Sequence, residues 1–550
     1  METKTCTDCG AEFKMTEKER DLYEKIKLAP PGICFYCRFR QHCAFWIFGK
    51  FRKGVSALSG DSIITVIPEN VRFPIYTYAE WWSDKWTAMD YGQDYDPSRP
   101  FFDQLKELQE KIPRPHQMGN LNTNCEWCDD SWESKNCYLG RAVLRSEEVS
   151  YGYRVIDTKN SVDVTYCFIM DKSYDCLFCF NSYNLNYSRN SRNCIDSYFF
   201  FFFRSCTDCF MCWNVSNKSY CILNEQYTKE EYFKKIKEYD LGSHEQIESL
   251  KKDFEGIMQK SAVHRATYNI SSETPKGNYL TNCEKCINCF QIEDSENVFN
   301  SVRGLKQETC IDMAGNWMIE ASGNLSCCTE CFDIRYSIWC EKVRYSEYCD
   351  LCYESEYIFG CVGVRKKKFC ILNKQYTEEE YNKLREQIIS DMKARGEYGK
   401  FPPYNMGLGS YNLTVGMMYL PNTNKEMIEK VGGYWEDIVE DVVDGLETKD
   451  LPDNIKDVTD DITTQALVCP MTGWRYNIAQ HELEFYRQKN IPLPRVHFDV
   501  RTKERVKYLT VIEPFSATCM YCHKEVTTYY RPEWGYKNIA CEECYLKEIM

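Results

Sequence analysis

The sequence predicts a mainly β chain with helical insertions: two tandem Cys-rich β-helical solenoids, flanked at each end by a pair of small ribbons. Three observations carry this. From Cys125 to Cys221 all eleven cysteines fall on one phase of a three-residue repeat, and from Cys283 to Cys370 eleven of twelve do, Cys327 being the exception. The positions on that phase are almost all small or apolar, apart from Lys218 in the first tract and Gln307, Asn316 and Lys367 in the second. Neither an α-helix (period 3.6) nor an ordinary strand (period 2) keeps such a period, so a short unit must repeat with one side chain in three pointing inward. Second, the tracts are copies, opened by Asn124-Cys-Glu-Trp-Cys128 and Asn282-Cys-Glu-Lys-Cys286 and closed by Cys221-Ile-Leu-Asn-Glu-Gln-Tyr-Thr228 and Cys370-Ile-Leu-Asn-Lys-Gln-Tyr-Thr377. Third, paired C-x-x-C knuckles stand at both ends.

Residues 1–50 contain Cys6-x-x-Cys9 and Cys34-x-x-Cys37, and residues 516–550 contain Cys519-x-x-Cys522 and Cys541-x-x-Cys544. Two such knuckles supply four soft ligands to a tetrahedral ion, so each end predicts one structural Zn²⁺; four thiolates leave no open position for a catalytic water. His523 stands beside Cys522 as a bystander. Residues 51–118 hold a decayed, metal-free copy plus a helix: Ser56, Ser59, Thr77 and Glu80 fall where the cysteines of the last ribbon sit. Residues 466–515 hold another decayed copy, with Cys469, Thr472, His497 and Val500 at the knuckle positions. Trp81, Trp82 and Trp86 close the N-terminal pair as core or docking residues.

The solenoids occupy 119–227 and 278–376. A coil of twelve residues fits the first tract, with columns such as Cys125, Cys137, Val149 and Ser161; large inward residues (Met170, Leu185, Phe200, Phe203) suggest bulges or a wider coil of about 21 residues. Residues 228–277 and 377–465 read as helical caps and linkers. Thr228 with Glu231, and Thr377 with Glu380, have the spacing of a capping box, which places helices near 229–240, 244–260 and 378–395. They serve as lids, which solenoids need to stay soluble.

Thirty-three cysteines, with no hydrophobic leader in Met1–Cys6, favour an intracellular, reducing setting, with later residence in a viral particle the other reading. A mean hydropathy of −0.54 and no apolar run of spanning length predict no membrane segment. The net charge of −14 disfavours a general nucleic-acid binder, although Arg501, Lys503, Arg505 and Lys507 form a local basic run. Inward cysteines read first as core thiols or inter-coil disulfides, and second as metal or cluster ligands, since Cys206-x-x-Cys209-x-x-Cys212 superficially matches an iron–sulfur run. Asp163 and Asp175, and Asp196 and Asp208, stack one coil apart; they read as solvated corners, or as Ca²⁺ ligands or an acid/base pair. Out-of-phase aromatics such as Tyr174, Phe199, Phe202 and Phe210 suggest packing of solenoid on solenoid, next a partner surface, and last sugar stacking. No histidine pairs with an evident nucleophile, and no P-loop or dinucleotide fingerprint is present.

The twelve-residue coil with every third residue inward resembles the narrow β-helix of beetle antifreeze proteins, without their Thr-x-Thr ice-binding rows. Ribbons flanking repeats that close on Lys367-Lys-Phe-Cys-Ile-Leu-Asn-Lys-Gln-Tyr376 resemble a family of Cys-rich proteins from candidate-phylum bacteria and large DNA viruses. That resemblance brings no activity. The expectation is a non-enzymatic structural or scaffold protein binding protein partners. A nucleic-acid-associated ribbon protein is the alternative, and a carbohydrate-binding or carbohydrate-active β-helix the third reading.

Overall fold

The computed structural model describes residues 2–272, 276–437, 444–509 and 511–549; part of the linker expected within 377–465, residues 438–443, lies outside them. The chain forms two compact units, and neither is a continuous stretch. One joins Met1–Gln117 to Thr267–Glu436, the other Met118–Ala266 to Asp437–Met550. The N-terminal ribbons therefore belong with the second solenoid, and the C-terminal ribbons with the first.

In the unit containing the first solenoid, twelve strands form one sheet that winds in parallel and ends in an antiparallel hairpin, Ser219–Ile222 with Glu225–Gln226. Each residue pairs with the one twelve positions on: Ser131 with Val143, Val143 with Val155, Val155 with Cys167. The second solenoid keeps the same register in an eleven-stranded sheet, for example Ile292 with Gly304 and Gly304 with Asn316. The coil is thus twelve residues throughout, and the wider coil is not adopted. Phe200 pairs with Cys212, and the Phe200 and Phe203 rings stack at 4.1 Å, filling one coil beside smaller neighbours.

Each coil has four corners. The residue before each inward position is left-handed, Trp127 before Cys128 excepted: Asn124, Asp130, Glu133 and Asn136 have φ between 51° and 53°, and the pattern runs through both solenoids. Left-handed backbone costs an ordinary residue ~1–2 kcal/mol, least for Asn and Asp. These two residues recur there, and their amides form ladders along the coils, as in Asn124 to Asn136 (2.9 Å), Asn181 to Asn193 (2.7 Å) and Asn288 to Asn300 (2.7 Å).

The corner geometry also explains the inward serines and cysteines. The N–H of many inward residues finds its acceptor in the side chain twelve residues earlier: Ser146 N–H to Ser134 Oγ (3.2 Å), Cys137 N–H to Cys125 Sγ (3.4 Å), Cys349 N–H to Ser337 Oγ (3.0 Å). The same hydroxyls and thiols donate to the carbonyl two residues back and, in many coils, to the one nine residues on. Cys167 Sγ donates to Thr165 and Cys176, and Cys352 Sγ to Asp350 and Cys361. A buried N–H left without a partner costs ~1–3 kcal/mol. Where such an N–H must be met, the inward position favours a small side chain that both donates and accepts. Asn316 fills the same role, its Oδ1 accepting from Cys328 N–H at 2.8 Å.

The matching closing motifs end each ladder. Asn224 accepts from Trp213 N–H (3.0 Å) and donates to Trp213 C=O (2.9 Å), so its amide imitates one more strand; Asn373 does the same to Val362. Such closure blunts an edge that would otherwise template pairing. Thr228 and Thr377 then cap the helices Lys229–Ile236 and Glu378–Ala394 through complete capping boxes, with His244–Lys260 following the first. Among the described residues, no helix is long and apolar enough to cross a membrane.

Candidate metal centres

All four ribbons, intact or decayed, share one backbone. Each opens with a β-hairpin: Glu2–Thr5 with Glu12–Met15, Arg52–Val55 with Ser62–Thr65, Leu467–Val468 with Arg475–Tyr476, and Phe515–Thr518 with Glu525–Thr528. The knuckle turn places a left-handed residue (Gly10, Gly60, Gly473 or His523) four residues after the first ligand position. Its N–H returns to that position's carbonyl at 2.9, 2.9, 2.8 and 3.0 Å. His523 thus occupies the turn's glycine position. The third ligand position (Cys34, Thr77, His497 or Cys541) is in every case the N-cap of a short helix, where aligned backbone dipoles favour negative charge.

In the first and fourth ribbons these positions bring four sulfurs together. Cys6, Cys9, Cys34 and Cys37, and likewise Cys519, Cys522, Cys541 and Cys544, have all their Sγ atoms within 4.8 Å of one another. Cys9 and Cys34 lie 3.8 Å apart, as do Cys522 and Cys541. A tetrahedral ion with metal–sulfur bonds of about 2.3 Å has edges of about 3.8 Å, so both sets fit one. In each, a backbone N–H points at a sulfur at 3.3 Å: Cys34 to Cys6, and Cys541 to Cys519. The Cys37 thiol holds the Cys34 sulfur down at about 5. Burial opposes ionisation of Cys519, but the N–H groups of Cys522 and Cys541 outweigh it and hold this thiol down at about 6.

The second ribbon replaces the ion with a carboxylate. Glu80 accepts from Ser56 Oγ and from Thr77 N–H (2.8 Å), while Thr77 Oγ1 accepts from Glu80 N–H (3.1 Å). Burial pushes Glu80 up, yet hydrogen bonds from Ser56, Ser59 and Thr77 outweigh it and hold the carboxyl down at about 2. The third ribbon replaces the ion with packing. His497 caps its helix, accepting from Asp499 N–H at 3.1 Å, and lies against Phe498 and Trp474, beside buried Cys469 and Val500.

Each ribbon pair is bolted to the solenoid of its unit by a duplicated contact that the sequence did not reveal. The first and third ribbons correspond at a constant offset, Arg38 falling on Arg501 and His42 on Arg505. Arg38 Nε donates to Asp312 at 2.8 Å, where Tyr23 also donates. Arg501 and Arg505 donate to Asp163 at 2.8 and 2.9 Å, and Arg505 also reaches Asp175 at 3.2 Å. Asp163 and Asp312 are the same position in the two repeats. The second and fourth ribbons dock by aromatics. Trp81 and Trp82 pack on Tyr353 beneath the Arg365 guanidinium, and Tyr545 packs on Phe202 and accepts from Asn214 at 3.0 Å.

These contacts reassign several sequence-derived candidates. Asp163 and Asp175 are ion-paired rather than solvated corners. Asp196 instead accepts from Asn184 (2.6 Å), and neighbouring Asp208 is pushed up by burial and by Asp196. Half of the basic run faces inward, with Arg505 buried and Arg501 nearly so. The aromatic row finds partners within its own unit: Tyr174 meets Tyr486, Phe199 meets Phe254, and Phe210 meets Tyr239. Among the described residues only the two terminal thiol sets gather three or more ligand atoms within 4.8 Å. The described cysteines are unbridged, and burial pushes core thiols such as Cys194, Cys212 and Cys310 up to about 12. Cys125 runs the other way, held down by its neighbours Cys128 and Cys137. One pairing escaped the sequence: Ser150 Oγ lies 3.1 Å from His481 Nε2, but Ser150 is buried.

No family model matches the chain, and no curated protein matches it either. The ribbons and solenoids therefore stand on their own geometry.

Proposed function

We propose that the protein is a non-enzymatic scaffold, held by two structural zinc ions, that presents solenoid faces to protein partners. The observation carrying this reading is an exposed aromatic ridge on the second solenoid. Tyr345, Tyr357 and Phe369, twelve residues apart, stack at 4.9 and 5.4 Å within 19° of parallel, and Tyr345 and Tyr357 are 41% and 37% exposed. An ordered row of exposed apolar groups marks an interaction site far better than scattered ones. Because the ring faces cover one another, their edges are left for contact, which suits a protein surface better than a sugar ring needing an open face. The ion pairing of Asp163, Arg501 and Arg505 further weakens the carbohydrate and nucleic-acid alternatives.

Zinc is favoured because four thiolates at these separations suit a soft tetrahedral ion. Elemental analysis of the purified chain is expected to give two zinc per molecule. Cross-linking in the source cell, followed by peptide mapping, is expected to place a partner on Tyr345 and Tyr357, and Tyr345→Glu with Tyr357→Glu to abolish those links while zinc content stays at two. Links that persist in that variant would remove the ridge as the docking face.

A further inference from the structure

We infer that each unit also carries a pocket for a small phosphorylated molecule, in the angle between a ribbon and the solenoid. In the unit of the first solenoid, the ribbon segment 492–496 walls a cavity of about 530 Å³. In the other unit the corresponding segment, 29–33, walls one of about 640 Å³. Both lie in the range of small-molecule sites, ~300–1,000 Å³. They occupy the same place in the duplicated architecture, since Arg501 and Asp175 line one where Arg38 and Asn324 line the other.

The lining charge gives the ligand's sign. In the 530 Å³ cavity every acid already has a cation: Asp175 has Arg505 (3.2 Å), Glu248 has Lys251 (3.1 Å), Glu255 has Arg189 (3.3 Å), and Glu504 has Lys507. Lys252 forms no ion pair among the described residues. Among the described residues the Arg495 guanidinium donates only to backbone carbonyls, Thr448 at 2.7 Å and Leu451 at 3.2 Å included. Arg501, its side chain nine-tenths buried, keeps Nη2 without a partner. His244 begins the helix at the cavity wall, and burial together with Arg495 lowers its basicity. The second cavity has different residues and again a cationic balance: Arg395, Lys400 and Lys430 against Asp8 and Glu397, with Arg38 taken by Asp312. A positive lining kept through replacement, in a chain of net charge −14, points to an anion.

Isothermal titration of the full zinc-loaded chain with ATP, pyrophosphate and adenosine tests this. ATP and pyrophosphate are expected to bind at two sites, ATP the more tightly, with adenosine far weaker. Lys252→Gln with Arg495→Gln should weaken one site about tenfold or more, and Lys400→Gln with Lys430→Gln the other. Zinc content and unliganded melting temperature, unchanged from the parent, show that each variant is folded; the single changes Lys252→Gln and Lys430→Gln serve if a double variant is not. Absence of binding by both ATP and pyrophosphate, or binding that both sets of changes leave intact, overturns the inference.

Discussion

The first and second ribbons follow the same backbone path and differ in what fills the centre. In the first, four thiols converge in a set that could hold a metal ion. In the second, Glu80 supplies the negative charge itself and Ser56, Ser59 and Thr77 supply the donors. The knuckle is therefore a backbone device that tolerates a metal, a carboxylate or, as in the third ribbon, an aromatic pack. The C-terminal pair reverses the order, its outer member keeping the thiols. Each unit retains one ribbon with a four-thiol set that could hold a metal ion and one without.

Removing the ion breaks the comparison most severely. Cys37→Ser, or a strong chelator, is expected to unfold the first ribbon, since binding at such sites contributes on the order of 10 kcal/mol to folding. Zinc should fall from two to one in the variant, and hydrogen exchange should rise around 2–43 but not around Ser56–Glu80. Unchanged exchange in the first ribbon would show that its fold does not need the metal.

The docking contact comes next. Asp312→Ala strands the Arg38 cation in the interface, a change worth about 3–5 kcal/mol when a buried pair loses one member. Asp163→Ala should cost at least as much, because Arg501 loses its carboxylate and Arg505 keeps only Asp175. Denaturant midpoints measure both; a cost below about 1 kcal/mol would mean that apolar contacts carry the docking.

Acid gives the finest discrimination. The Glu80 carboxyl is held at about 2, below its ordinary 4.5. Its contribution is therefore complete above pH 4.5 and lost as pH falls through about 2. Thiolate ligands protonate and release metal at higher pH. On acidification, exchange protection is expected to fail in the first ribbon before the second, and Glu80→Gln should flatten the second ribbon's dependence below pH 4.5 at a cost of about 1–3 kcal/mol. Simultaneous loss in both ribbons would contradict the assigned roles.

Periodic features were legible in the sequence, and features built by long-range pairing were not. The triplet phase specified the inward column, and Thr228–Glu231 and Thr377–Glu380 marked the cap helices, because these signals are local. The meaning of the inward cysteines was only half legible. Burial followed from the phase, but their hydrogen-bonding duty follows from left-handed corners at residues such as Glu133 and Tyr151, whose side chains give no hint of that conformation. Arg38 and Asp312 lie 274 residues apart, so nothing in either neighbourhood announces the pair. The alternation of the chain between two units was hidden for the same reason.

A coil of twelve residues with four corners acts as a dial. Cys125 and Cys221 are 96 residues apart, eight full revolutions, so the first solenoid opens and closes at the same corner. Cys283 and Cys370 are 87 apart, seven revolutions and a quarter. The nine residues missing from the second copy leave its inward column intact, yet set the entry of the chain 90° around the axis from its exit. An insertion or deletion of one triplet would turn that dial by one corner without disturbing the core. Repeats of this kind can thus re-aim whatever is attached to their ends in right-angle steps.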